Sequence, residues 1–124
     1  MTRTSAAASD QGEDGRVAAL DWARIEADLD AYGCAATGRL LDDAECAALA
    51  ALYPEEVPFR SRIVMARHGF GRGEYKYFAY PLPEPLARLR APLYARLAPI
   101  ANRWNATMGI ETRFPDAHAE FLAR

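Results

Sequence analysis

The sequence predicts an α+β fold: two short segments with helical spacing lead, a glycine-interrupted pair of extended segments follows, and a long helical stretch comes next. A length of 124 residues and a hydrophobic share of 51% suit one small domain with its own core.

Residues 1–16 are small, polar and acidic without an apolar period, and are expected to be a disordered leader, leaving residues 17–124 to fold. Next, Asp21 is placed to cap a helix whose inner face is Trp22, Ile25 and Leu29, and Gly33 supplies the left-handed stop. Cys34–Thr37 reads as a short strand. A second helix enters through Leu40–Asp43, carries Cys46, Leu49 and Leu52 or Tyr53 on one face, and ends at Pro54. Ser61–Ala66 holds the β-branched pair Ile63 and Val64, and Glu74–Tyr80 alternates, so both read as strands joined through Gly69, Gly71 and Gly73. From Pro85 the residues Leu86, Leu89, Leu93, Leu97, Ile100 and Trp104 recur at three- and four-residue intervals, which predicts a helix reaching Met108–Gly109. Pro92 and Pro99 are each expected to break or kink it. A last helix is expected to begin at Pro115.

The net charge of -2 hides an asymmetry: residues 1–56 hold twelve acids and four arginines, whereas residues 57–103 hold nine bases and two acids. A basic middle that folds onto one face sets up a local positive field. No apolar run approaches the roughly 20 residues that span a bilayer, and the N-terminus has no apolar centre of a secretory signal, so a cytoplasmic, non-membrane protein is expected. Cys34 and Cys46 are expected to be buried free thiols, since two cysteines neither frame a disulfide scaffold nor form a close-spaced zinc site. Trp22 and Trp104 are expected in the core; Asn102–Asn105 either hydrogen-bonds neighbouring loops or faces a second domain.

The segment that carries chemistry is Arg60–Tyr80, in which Arg60, Arg62, Arg67, Arg72 and Lys76 oppose a single acid, Glu74, and alternate with aromatic rings. Cations hold phosphate or carboxylate oxygens and rings stack on flat groups, so this pattern suits an anionic or planar partner. A plain surface hairpin has the same composition. Gly69–Gly73 lacks the following helix that a dinucleotide loop requires. The partial likeness of Arg67–Phe70 to an RNA-binding aromatic motif is interrupted at Arg72 and Gly73. His118-Ala119-Glu120 matches in letters half of a facial triad, but residues two apart on a helix point about 200° from one another, so no metal is assigned to it.

Three stretches, GCAATGRLLDDAEC at 33–46, RSRIVMARHGFGRGEYKYFAYPLP at 60–83 and LYARLAPIANRWN at 93–105, give the chain its resemblance to the N-terminal half of a bacterial family of 2-oxoglutarate- and Fe(II)-dependent oxygenases, prolyl-hydroxylase-like in fold. The resemblance implies leading helices and short strands of an incomplete double-stranded β-helix, or jelly roll. It also implies Fe(II) and 2-oxoglutarate as cofactors of the intact family, and oxidative repair of alkylated nucleic acid or prolyl hydroxylation as its reaction. The family's H-x-D motif, distal histidine and co-substrate arginine find no match here, so the chain is expected to be a truncated forepart that binds neither cofactor alone, is inactive alone and supplies no catalytic or metal residue. On this reading Arg62, Arg67, His68, Tyr75, Lys76 and Tyr77 flank the substrate entrance and meet a nucleic-acid or peptide substrate. A rival reading uses the same hairpin in a non-catalytic nucleic-acid-binding module.

Overall fold

Helix α1, Gly12–Ala18, opens the part of the chain described by the computed structural model, residues 12–124. Residues 1–11 of the expected leader lie outside the described residues, and its last five positions are helical. Two side-chain contacts anchor this end, one distant in sequence and one local: the Arg16 guanidinium donates to the Leu40 carbonyl at 3.2 Å, and the Trp22 indole N–H donates to the Val17 carbonyl at 2.8 Å.

Helix α2, Trp22–Tyr32, follows its local signals. Asp21 accepts from the Arg24 amide at 3.1 Å, and Gly33 adopts φ +73° with its N–H on the Leu29 carbonyl. An L side chain is strained at that φ, so glycine ends the helix there. The expected strand at Cys34–Thr37 does not form: no third strand lies beside this stretch among the described residues, and the Ala36 carbonyl instead accepts from Arg24 at 2.8 Å. A strand without a neighbour has no ladder to complete.

The chain divides into two units, one up to Leu40 together with Arg88–Arg124, the other Leu41–Ala87. In the second unit, helix α3, Asp43–Ala51, begins in a capping box in which Asp42 accepts from the Glu45 amide at 2.8 Å and the Glu45 carboxylate accepts from the Asp42 amide at 3.0 Å. It buries no residue fully, and both Cys46 and Cys34 are exposed rather than buried. Cys34 lies just past the αL stop, and Cys46 sits on a helix that nothing covers closely.

Strands β1, Phe59–Val64, and β2, Glu74–Phe78, form an antiparallel two-stranded sheet. A 3₁₀ turn over Met65–His68 and Gly69, Gly71 and Gly73, all at positive φ, make the connection. The 3₁₀ turn takes Met65 and Ala66, which the sequence assigned to the strand.

Helix α4, Glu84–Thr107, runs unbroken through Pro92 and Pro99, contrary to a break at either. The two prolines stand seven residues apart, so they share one side of the helix. Two other sides are held by neighbours. Toward α2, Arg103 bonds Glu26 and Asp30 at 3.1 and 3.0 Å, Trp104 bonds Asp30 at 2.7 Å, and Arg96 lies 5.6 Å from the Trp22 ring centroid. On nearly the opposite side, Tyr94 donates to the Pro115 carbonyl at 2.7 Å, Asn102 grips the Phe114 backbone, and Asn105 donates to the Thr112 carbonyl at 3.0 Å. Ala98 falls on this second side and is 4% exposed, whereas Leu97, between the two sides, is 42% exposed. The leucine stripe predicts the reverse.

Gly109, φ +73°, ends α4. The segment after it is fixed by side chains of α4, and helix α5, His118–Leu122, starts three residues beyond Pro115. Tyr94, Phe114, His118 and Phe121 form a ring cluster with centroid separations of 5.3–6.1 Å. The fully buried apolar residues, Val17, Ile25, Leu89, Ala98 and Ile100, all belong to the first unit. No helix among the described residues is long and apolar enough to cross a membrane. The architecture is mixed helix with a small antiparallel sheet, as an α+β reading expects.

Candidate functional site

Strand alternation sorts the hairpin's side chains onto two surfaces. Ser61 faces Tyr77, Arg62 faces Lys76, Ile63 faces Tyr75 and Val64 faces Glu74, while Phe59 pairs with Phe78 because Arg60 is an extra residue in β1. This bulge reverses the parity of everything before it. Phe59 therefore joins the surface of Arg62, Glu74, Lys76 and Phe78, and Arg60 swings to the surface of Tyr75 and Tyr77.

On the first surface the cations are already engaged. Arg62 Nε pairs with Glu74 at 2.9 Å, and Lys76 donates to the Tyr53 carbonyl while its Nζ lies 4.3 Å from the Tyr53 ring centroid and 5.0 Å from that of Phe59. Phe59 and Phe78 stack at 4.9 Å, with Tyr53 edge-on to Phe59 at 6.0 Å. Desolvation pushes the Tyr53 hydroxyl pKa up, the charge and hydrogen bond of Glu74 add to that, and Arg62 opposes it. A cleft of about 330 Å³ opens here, and its lining mixes Glu55 and Glu56 with Arg60, Arg62 and Lys76. It is not a purely cationic groove.

The second surface is aromatic and open. Tyr75 and Tyr77 meet edge-to-face at 5.5 Å, and the Arg60 guanidinium lies 5.4 Å from the Tyr77 ring centroid and 5.6 Å from that of Tyr80. These rings are 43–60% exposed. The Tyr75 hydroxyl pKa is raised, by desolvation first and then by the neighbouring Tyr77.

Of the six residues named from the sequence, the structure brings Arg62 together with Lys76 on one surface and Tyr75 with Tyr77 on the other. Arg67 and His68 stand exposed in the 3₁₀ turn, His68 stacked on Phe70 at 6.1 Å. Arg60 and Tyr80 belong to the segment read as basic and ring-bearing but not to the six, and Tyr53 was missed. The i, i+2 spacing of Tyr75 and Tyr77 is visible in sequence, but Arg60 reaches them only through a bulge that no local residue announces.

A second polar cluster sits between α2 and α4. The Asp30 carboxylate accepts from the Trp104 indole and from Arg103, and beside it lies an open groove of about 300 Å³ lined by Asp30, Arg103, Trp104, Thr107 and Met108. The Trp104 hydrogen bond, then that of Arg103, lower the Asp30 pKa, and the same pair raises that of Arg103. Trp22 and Trp104 are half-buried rather than core, each with its N–H on an acceptor. A lowered folded-state pKa means that the unfolded chain binds more protons. The stability from Asp30 is therefore complete above the unfolded aspartate value of about 3.9 and lost as pH falls through the lower folded one. Asp30→Asn is expected to lower the urea midpoint at about pH 7 and to differ progressively less from wild type below about pH 4. A gap of constant size would contradict this assignment.

The described residues do not fit a ferrous ion. No three His, Cys, Asp or Glu side chains converge among them, His118 packs on the Tyr94 ring at 5.3 Å, and Glu120 lies about 200° further around α5. A family model described as an oxygenase catalysing oxidative methylation of damaged DNA matches residues 73–124. That range takes in β2, α4 and α5, with Tyr75, Lys76 and Tyr77; Arg62, Arg67, His68 and the 33–46 stretch precede it. The match supports an oxygenase family for this part of the chain. No curated protein and no solved structure matches.

Proposed function

We propose that the chain is the leading part of an oxygenase that acts on damaged DNA and, as a complete protein, uses Fe(II) and 2-oxoglutarate. The observation that carries the reading is the oxygenase match over residues 73–124. Two features of the fold support it. The hairpin is a two-stranded sheet with both edges open among the described residues, and its unit holds none of the fully buried apolar side chains. A hairpin alone is marginal in water, so such a unit gains from further strands laid against it.

Because the described residues do not fit iron, the metal and the co-substrate carboxylate are assigned to ligands that this chain does not supply, on a jelly roll continuing beyond Arg124. The role left to these residues is to present the substrate: the basic, ring-bearing hairpin receives the DNA. The reading also places the protein in the cytoplasm.

The test starts from the reading frame after the Arg124 codon, where an H-x-D motif and a later histidine are expected. Protein from the complete frame, given ferrous iron, 2-oxoglutarate and an alkylated oligonucleotide, should release succinate and lose the alkylated base together. The 124-residue chain should do neither. A frame that stops at Arg124, or turnover by the short chain alone, overturns the reading.

A further inference from the structure

The geometry points to the Arg60–Tyr75–Tyr77–Tyr80 surface of the hairpin as a stacking platform for the bases of single-stranded DNA, with the opposite surface, Arg62 and Lys76, serving to hold the hairpin together. This inference rests on the DNA-oxygenase reading and assigns the substrate contact within it. It adds two residues, Arg60 and Tyr80, to those placed at the substrate entrance from the sequence.

Three observations carry it. The first is the inequality of the two surfaces: Arg62 is paired with Glu74, and Lys76 is spent on the Tyr53 carbonyl and two ring faces. On the other surface, the Arg60 guanidinium lies over the Tyr77 and Tyr80 rings, and no carboxylate ion-pairs with Arg60, Arg67 or Arg72 among the described residues. A guanidinium resting on rings keeps its N–H edge for phosphate oxygens, which a salt-bridged one does not.

The second is the rings themselves. Tyr75, Tyr77 and Tyr80 are 43%, 46% and 60% exposed; the first two share one side of β2, and Tyr80, beyond the strand's end, is joined to Tyr77 through the Arg60 guanidinium, a costly exposure of apolar area unless something flat covers it. Successive unstacked bases are flat, and every base has a π-face. The third is charge. Residues 60–80 hold five bases against one acid, Glu74, so the hairpin attracts a polyanion and repels a cationic cover. Bases inside a duplex are stacked on one another and offer no free face, which selects the single strand.

The test uses the full chain and a short labelled thymidine oligonucleotide, followed by fluorescence anisotropy at low salt, beside an abasic strand of the same length. The thymidine strand is expected to bind more tightly, and Tyr77→Ala and Tyr80→Ala each to weaken it about tenfold without changing affinity for the abasic strand. Tyr77→Phe, which keeps the ring, should retain affinity. Arg60→Gln should reduce the slope of log affinity against log salt by about one.

Equal binding of abasic and thymidine strands by the wild-type chain overturns the inference, and that comparison needs no variant to fold. So does no binding of either strand. The two readings fail separately. A complete protein that oxidises alkylated DNA yet ignores the bases here keeps its function and loses this surface; a base-dependent hairpin in a protein that never oxidises does the opposite.

Discussion

Ile100→Ala is expected to cost about 2–5 kcal/mol of folding stability, read as a fall in the urea midpoint with little change in the denaturant slope. Ile100 is 6% exposed, on the side of α4 that meets α2, and is one of only five fully buried apolar residues among those described. The loss combines the transfer free energy of the deleted carbons with the cavity left behind, because α4 is gripped from two sides and cannot slide to fill it. A domain holds a net stability of about 5–15 kcal/mol. The change therefore removes a large fraction of the total, and Ile100→Val, which keeps most of the volume, should cost only about 0.5–1.5 kcal/mol. If both variants lose the same amount, or neither loses any, Ile100 does not sit in a packed core.

Asn102→Asp is the second large effect, and its pH dependence distinguishes it from an ordinary core lesion. The amide of Asn102 donates to the Phe114 carbonyl at 2.9 Å and accepts from the Phe114 N–H at 2.7 Å, so one side chain satisfies both backbone groups of a segment that has no secondary structure of its own. A carboxylate still accepts from the N–H, but its other oxygen faces the carbonyl without a proton between them. A lost donor with two acceptors in opposition is expected to cost about 1–3 kcal/mol at neutral pH. Protonation restores a donor. The introduced carboxyl should thus have a raised folded-state pKa, and the variant should approach wild type as pH falls through that value. Asn102→Ala lacks both bonds at every pH, so its deficit relative to wild type should stay constant over the same range. Midpoints from tryptophan fluorescence, compared at each pH with wild type, check both. A deficit in Asn102→Asp that ignores pH removes the clamp.

Those two residues also mark where the sequence was readable. Asp21, the Trp22–Ile25–Leu29 spacing and Gly33 define α2 because each acts within a turn of the helix, and the chain obeys such rules wherever tertiary structure does not compete. The hairpin was legible for the same reason, from Ile63 and Val64, the three glycines and the alternation of Glu74–Phe78. What was not legible depends on partners far along the chain. Gly12–Arg16 shows no apolar period, yet it is helical where Arg16 meets the Leu40 carbonyl and Val17 meets Trp22. Ala98 counts as filler in any stripe, but its small methyl faces the segment held by Tyr94 and Asn102, and that approach buries it in place of Leu97. Cys34–Thr37 has strand composition and no strand to join.

The candidate site divides in the same way. Composition found the basic, ring-rich segment and the rings at Tyr75 and Tyr77. Alternation alone sets Lys76 opposite those rings, but placing Arg62 with it requires the pairing register, and neither shows that both are already occupied by Glu74 and Tyr53.

The extra residue in β1 makes the hairpin a two-sided display whose allotment is set by a count of one. Excising Arg60 would delete the cation that lies over Tyr77 and Tyr80 and restore strict alternation, with Phe59 next to Ser61 and therefore still on the Arg62 side, opposite its stacked mate Phe78. The extra residue thus adds a guanidinium to the ring-bearing side without moving the stacked phenylalanines from the other.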